Sequence, residues 1–154
     1  MTTQPLIRWV PRGHWVAVVR AGVVRRVRAS GLVWRLPVVE HFVEGVDGPT
    51  ETSLLARSTT RDGVPVLVLA EATIAVRRPE AGTAYVDPWP AAEVAAEETI
   101  ARTVAEWTVA ELTHAAEAAA QPLRHDVRAA TDSHGVDVVD LTLVEVGVPL
   151  DGSR

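Results

Sequence analysis

The 154-residue chain has no cysteine and no lysine. Without thiols it can form no disulfide, no thiolate zinc site and no cysteine nucleophile. Phe and Tyr occur once each against five Trp, so tryptophan must supply most of the aromatic packing. Long hydrophobic runs are missing as well. The longest, Val64 to Ala70, stops at Glu71, far short of the roughly 20 residues a spanning helix requires. No apolar signal segment with a small-residue cleavage site opens the sequence, and the expected location is cytoplasmic. No acid precedes Glu40, whereas Arg8, Arg12, Arg20, Arg25, Arg26, Arg28 and Arg35 all do. The rest of the chain is acidic enough to bring the net charge to −5. Such polarity points to a surface or nucleic-acid partner, or to cross-strand pairing of these arginines with Glu40, Glu44 or Glu51.

What is present reads first as strands. His14 to Arg20 and Val23 to Arg28 are rich in β-branched residues and separated by Gly22. In the second of these, simple alternation puts Arg26 and Arg28 on the face of Val24, with Arg25 opposite. Gly31 and Pro37 bracket a short strand from Leu32 to Leu36, and Glu40 to Val46 is another. Asp47-Gly48-Pro49 marks a turn before a strand over Thr50 to Arg57. Asp62-Gly63 is the clearest hairpin signal. It leads into Val64 to Arg77, whose even positions are all apolar while the odd ones mix Leu67 and Leu69 with Glu71, Thr73 and Arg77.

After Pro90 the period becomes helical. Ala96, Ile100, Val104 and Trp107 form one stripe, with Glu98 and Arg102 paired on a solvent face. Thr108 to Glu111 has capping-box spacing and starts a new helical turn. Leu123, Val127 and Ala130 mark a last helix, with a kink or fresh start expected at Pro122. A closing strand runs from Val136 to Val146 and is ended by Pro149. The fold class is α+β.

Several stretches in this order resemble the SPFH, or band 7, domain of stomatins, prohibitins and flotillins. Val10 to Gly13 is similar to the entry into its first strand, with Arg12 where an acid is usual. Arg20-Ala21-Gly22 resembles the Arg-x-Gly that ends that strand. Gly31 to Pro37 is similar to a Gly-Leu-aromatic stretch closing on Pro, and Thr60 to Val64 to a Thr-x-Asp-x-Val turn. Ile74 to Pro79 resembles a Val-x-Asp-Pro strand end, with Arg78 in place of Asp. Thr108 to Leu112, and Ala130 to Asp132 followed by Gly135-Val136 and Val144 to Pro149, resemble the later helix and closing strand.

The resemblance implies one SPFH-like domain over residues 8–149, strand-rich over about 8–48 and α+β over about 50–149. It also implies a scaffold or adaptor without catalysis, organising membrane microdomains or accompanying membrane proteases. Family members usually carry a membrane anchor before this domain and a coiled-coil after it. The expectation here is a version lacking both, a monomer or weak homo-oligomer, cytoplasmic or peripheral on the inner face of the membrane. The alternative is a soluble protein-binding subunit without membrane attachment, with nucleic-acid binding ranked behind it.

Residue chemistry offers no competing enzyme. Asp132-Ser133-His134 are consecutive, whereas a Ser-His-Asp triad is gathered from separate parts of a chain. They read instead as a helix end, with Gly135 as left-handed cap. His14, His41, His114 and His125 lack metal-site spacing, and no phosphate or dinucleotide loop is present. No cofactor, no metal and no nucleic-acid partner is expected. The remaining candidate is a membrane-facing set of Arg20, Arg25, Arg26, Arg28 and Arg35 with Trp9 and Trp34. Basic residues favour anionic leaflets and Trp favours the headgroup zone; core packing is the commoner fate of a strand Trp, and Trp15 shares this setting.

Overall fold

A computed structural model describes residues 5–114 and 116–148; Pro149 lies outside them. The described chain forms β1 (Ile7–Val10), β2 (His14–Arg20), β3 (Val23–Arg28), β4 (Gly31–Trp34), β5 (Glu40–Val46), β6 (Pro49–Thr59), β7 (Pro65–Val76), α1 (Pro88–Ala105), α2 (Val109–His114), α3 (Ala116–Asp132) and β8 (Val136–Gly147). This is an α+β architecture: strands, then helices, then a closing strand. No described helix is long and apolar enough to cross a membrane. Two compact units emerge, residues 5–49 with 76–87 and residues 50–75 with 88–148.

The first unit is built on a three-stranded sheet of order β3-β2-β5, antiparallel throughout. Its central strand β2 is apolar on both faces, and both are covered. On one face Val16, Val18 and Phe42 pack with Val10 and Val33 of a two-stranded β1/β4 ribbon. On the other, Trp15, Ala17, Val19 and Val24 pack with Tyr85, which arrives on the 79–87 segment. That segment is laced to the sheet through Val24 N–H to Thr83 C=O (2.8 Å) and Tyr85 N–H to Gly22 C=O (2.8 Å).

The β2-β3 connection has positive φ at both central residues, Ala21 (50°) and Gly22 (74°), as a type I′ turn demands. Gly accepts this conformation freely, but Ala does not. Ala21→Asn, which gives the preferred Asn-Gly pair, is expected to stabilise by about 1 kcal/mol. Thermal unfolding would read this as a rise of a few degrees.

The second unit has a sheet of order β6-β7-β8. Along β7, Val66, Val68, Ala70, Ala72 and Ile74 are all buried, while Leu67, Leu69 and Thr73 on the other face are half-buried and Glu71 is exposed. The stripe Ala96, Ile100 and Val104 of α1 is buried together with Leu123 and Val127 of α3. Arg102 donates to Thr99 Oγ1 (3.1 Å) rather than to Glu98, and Glu97 reaches β6 to accept from the Leu55 N–H (3.1 Å). The α3 helix runs on through Pro122 instead of restarting there, and ends at Asp132 with Gly135 at φ 81°. Ser133 Oγ donates to the Ala130 carbonyl (3.2 Å), as at any fraying helix end.

Among the described residues, three carboxylates are held below their ordinary range. Asp47 is lowered chiefly by its hydrogen bond from Arg78, Asp62 by one from the Thr60 hydroxyl, and Glu111 by the Thr108 backbone N–H and then its hydroxyl. The last is the expected capping box, completed by Glu111 N–H to Thr108 Oγ1 (3.2 Å). A depressed folded pKa contributes stability that is present above the unfolded value and lost as pH falls through the folded one. Melting midpoints are therefore expected to decline once pH drops below about 4, and less steeply in Asp47→Asn. Thermal unfolding across an acid series checks this.

Candidate functional site

The β1/β4 ribbon sets the geometry of the site. Its antiparallel register pairs Ile7 with Trp34, Arg8 with Val33, Trp9 with Leu32 and Val10 with Gly31. Directly paired residues share a face, and faces alternate along each strand. Val10 and Val33 therefore point to the core, and Ile7, Trp9, Leu32 and Trp34 all point away from it. These four large apolar side chains are 63%, 65%, 66% and 54% exposed. The usual pattern is inverted: here the outward face is the hydrophobic one.

The β4-β5 connection extends this surface. Leu36, Val38 and Val39 are exposed, and Val38 completely so. Val38 has φ 69°, and the Val39 N–H bonds back to the Pro37 carbonyl (2.8 Å). Together these make a γ-turn of the strained, positive-φ kind around a β-branched residue.

A buried carboxylate fixes this turn. Glu40, 7% exposed, accepts from Arg26 Nη2 (3.0 Å) and from the Leu36 N–H (2.7 Å). Arg26 also donates to the Trp34 carbonyl (2.9 Å), and its guanidinium lies 4.1 Å from the Trp34 ring centroid. Arg35 donates to the Glu40 carbonyl (2.8 Å) and to the Pro5 carbonyl (3.1 Å), and it lies 5.9 Å from the Phe42 ring. One side chain thus ties β3, the end of β4 and the start of β5 together.

The seven sequence candidates separate into three groups. Trp9 and Trp34 share the exposed ribbon face, whereas Trp15, alike in sequence setting, is 3% exposed in the core. Arg26 and Arg35 turn inward to hold the loop. Arg20, Arg25 and Arg28 are exposed and make no ion pair or side-chain hydrogen bond among the described residues. The expected faces in β3 need correction. A bulge opposite Val18/Val19 leaves Arg25 as the extra residue, so Val24 pairs with Val19 while Arg26 and Arg28 pair with Val18 and Val16. Arg26 and Arg28 therefore lie on the ribbon side of the sheet and Val24 on the other. Of the acids considered as cross-strand partners, Glu40 takes Arg26 and Glu44 takes Arg8 (2.6 Å).

Sequence reading missed β1 as a strand, and with it the outward turn of Ile7 and Leu32; the alternation of Ile7-Arg8-Trp9-Val10 was the available signal. Arg78 pairs with Asp47, Nε to Oδ1 at 2.8 Å. Among the described residues, no group of three His, Asp or Glu side chains is placed to hold a metal ion. A comparison with family models matches residues 8–151 to the SPFH domain / Band 7 family. No curated protein matches the chain.

Proposed function

We propose, on the premise that the chain belongs to the SPFH / band 7 family, that it is a non-enzymatic scaffold or adaptor working at an anionic membrane surface. In this reading it sits peripherally on the cytoplasmic face, as a monomer or weak homo-oligomer, and organises neighbouring membrane proteins or proteases. One observation carries the proposal. Three exposed arginines that make no ion pair among the described residues, Arg20, Arg25 and Arg28, belong to the same compact unit as two exposed tryptophans, Trp9 and Trp34. Unpaired cations gain from the negative potential of an anionic leaflet, and Trp favours its headgroup zone.

Flotation with phosphatidylcholine vesicles, with and without phosphatidylserine, tests this. Binding is expected only with the anionic lipid and is expected to weaken with salt. Changing Arg20, Arg25 and Arg28 together to Ser removes about 1 kcal/mol each, and so weakens partition by two orders of magnitude at low salt. Arg26 is left intact because it supports the loop. Absence of flotation with every composition would overturn the proposal in favour of a soluble protein-binding subunit.

A further inference from the structure

The second unit carries a separate hollow at the hairpin end of its sheet. It measures about 610 Å³ and is lined by Arg57, Ser58 and Thr59 of β6 and by Pro65, Val66 and Leu67 of β7. We infer that this hollow binds a small amphipathic carboxylate, its anionic head on Arg57 and its apolar body along Pro65 and Leu67. The site lies apart from the residues that carry the membrane-surface reading.

The lining divides by chemistry between the two strands. Side chains alternate between faces along a strand, so Arg57 and Thr59 share one face of β6, and Pro65 and Leu67 share one face of β7. All four border the same hollow. Val66, 2% exposed, belongs to the core. The Ser58 hydroxyl is spent on the Ala101 carbonyl of α1 (2.6 Å). One wall therefore offers a cation and a hydroxyl. The other offers hydrocarbon and, at Pro65, no backbone donor. Leu55, two residues before Arg57 on the same face, is 45% exposed and extends the apolar border. Small-ligand sites commonly span roughly 300–1,000 Å³ and set a few polar groups in an apolar lining.

Arg57 gives the hollow its preference for an anion. In the described part of this unit every other arginine is engaged. Arg61 donates to Glu111 (3.0 Å), Arg102 to Thr99 (3.1 Å) and Arg124 to Asp140 (3.0 Å), and Arg128 pairs with Asp137 (2.9 Å). Arg57 makes no ion pair or side-chain hydrogen bond among the described residues, and no acid is among the six that line the hollow. A guanidinium presents a planar fork of donors that matches a carboxylate at two points. The Thr59 hydroxyl, on the same face, is a further donor for that head. A bare carboxylate would leave the β7 wall unused, and a neutral apolar molecule would leave the fork unused.

Octanoate is the probe, with 1-octanol as the body without the charge and acetate as the head without the body. Amide resonances of the isotopically labelled chain are followed during each titration. Octanoate is expected to shift residues 57–59, 66 and 67 saturably, and to bind at least about tenfold more tightly than octanol or acetate. Arg57→Gln is expected to bring octanoate down to the affinity of octanol with an unchanged melting midpoint, because Arg57 makes no contact on which the fold depends. Leu67→Ser should weaken octanoate and octanol alike, with circular dichroism melts establishing that it is folded. The absence of any saturable shift at 57–67 would overturn the site, even if octanoate shifted the exposed β1/β4 face instead. Equal affinity for octanoate and octanol would overturn it too, as would an Arg57→Gln variant that binds octanoate as the parent does.

Discussion

Gly45→Ala is expected to cost about 3 kcal/mol, more than any surface change in the first unit. A Cβ at Gly45 would sit 2.4, 2.6 and 2.9 Å from three atoms of the Trp15 indole, closer than nonbonded carbons approach. The reason lies in the register: Trp15 and Gly45 are direct cross-strand partners, and the indole occupies the space a Cβ at Gly45 would need. Trp15 cannot simply swing aside. It is 3% exposed and packed with Ala17, Val19 and Val24, with Tyr85 against the cluster. Either the ring leaves its rotamer or the β2-β5 pair separates, and close-packed interiors resist both. For a chain of this length the midpoint should fall by roughly 10 °C. A double-mutant cycle distinguishes the clash from a general loss of glycine flexibility. In a Trp15→Val background, Gly45→Ala should become close to neutral, because the atoms it strikes are gone. An equal penalty in both backgrounds would refute the account.

That pairing also shows where sequence reading stopped. The strands around Trp15 were legible because β-branched runs punctuated by Gly and Pro are strong local signals. So was the long β7, where every even position is apolar. What decides the fate of each tryptophan is not local. Trp9, Trp15 and Trp34 all sit among Val and Arg, yet only Trp15 is matched with a glycine across the sheet and under a second layer. Trp9 and Trp34 pair instead with Leu32 and Ile7 in a ribbon whose inner face is already filled by Val10 and Val33. A four-residue strand with its apolar residues outward runs against the rule that hydrophobic faces turn inward, and so β1 went unread. The bulge at Arg25 is similarly invisible to alternation, because one extra residue reverses every face beyond it. Pro122 was legible only in part. Local backbone chemistry disfavours it inside a helix, where a kink or a fresh start is expected; α3 does not restart there, and Leu123 and Val127 beyond it are buried. The Glu40 carboxylate was legible as a partner for the arginines, and Arg26 does take it. Its second role, capping the Leu36 N–H, depends on a loop conformation that no pattern of residue types announces.

Glu40→Ala is expected to cost about 2 kcal/mol and, on the membrane-surface reading, to weaken vesicle binding severalfold. Removing the carboxylate leaves the Leu36 N–H without its acceptor and Arg26 without its counter-charge. Losing one partner of a buried pair typically costs 3–5 kcal/mol, because the other charge stays behind. The figure here is lower because the Arg26 side chain is 33% exposed and water can solvate part of it. Arg26 also keeps its bond to the Trp34 carbonyl and its place over the Trp34 ring, although its buried Nε finds no acceptor among the described residues. The consequence for the site follows from strain. With the tie cut, the Val38 turn keeps only its backbone bonds and the Arg35 contact to the residue-40 carbonyl, and the Leu36–Val39 loop is held less firmly at positive φ. Val38→Gly separates the two effects. Glycine accepts the observed φ at no steric cost, so this variant should be as stable as the parent or about 1 kcal/mol more so. It nevertheless removes a wholly exposed apolar side chain, and on the membrane-surface reading its vesicle affinity should drop severalfold. Paired melting and flotation measurements on the two variants read both axes. If Val38→Gly bound vesicles as well as the parent, the tip would not be part of the contact. If Glu40→Ala lost stability but kept full affinity, the carboxylate would hold the fold of the unit without shaping its surface.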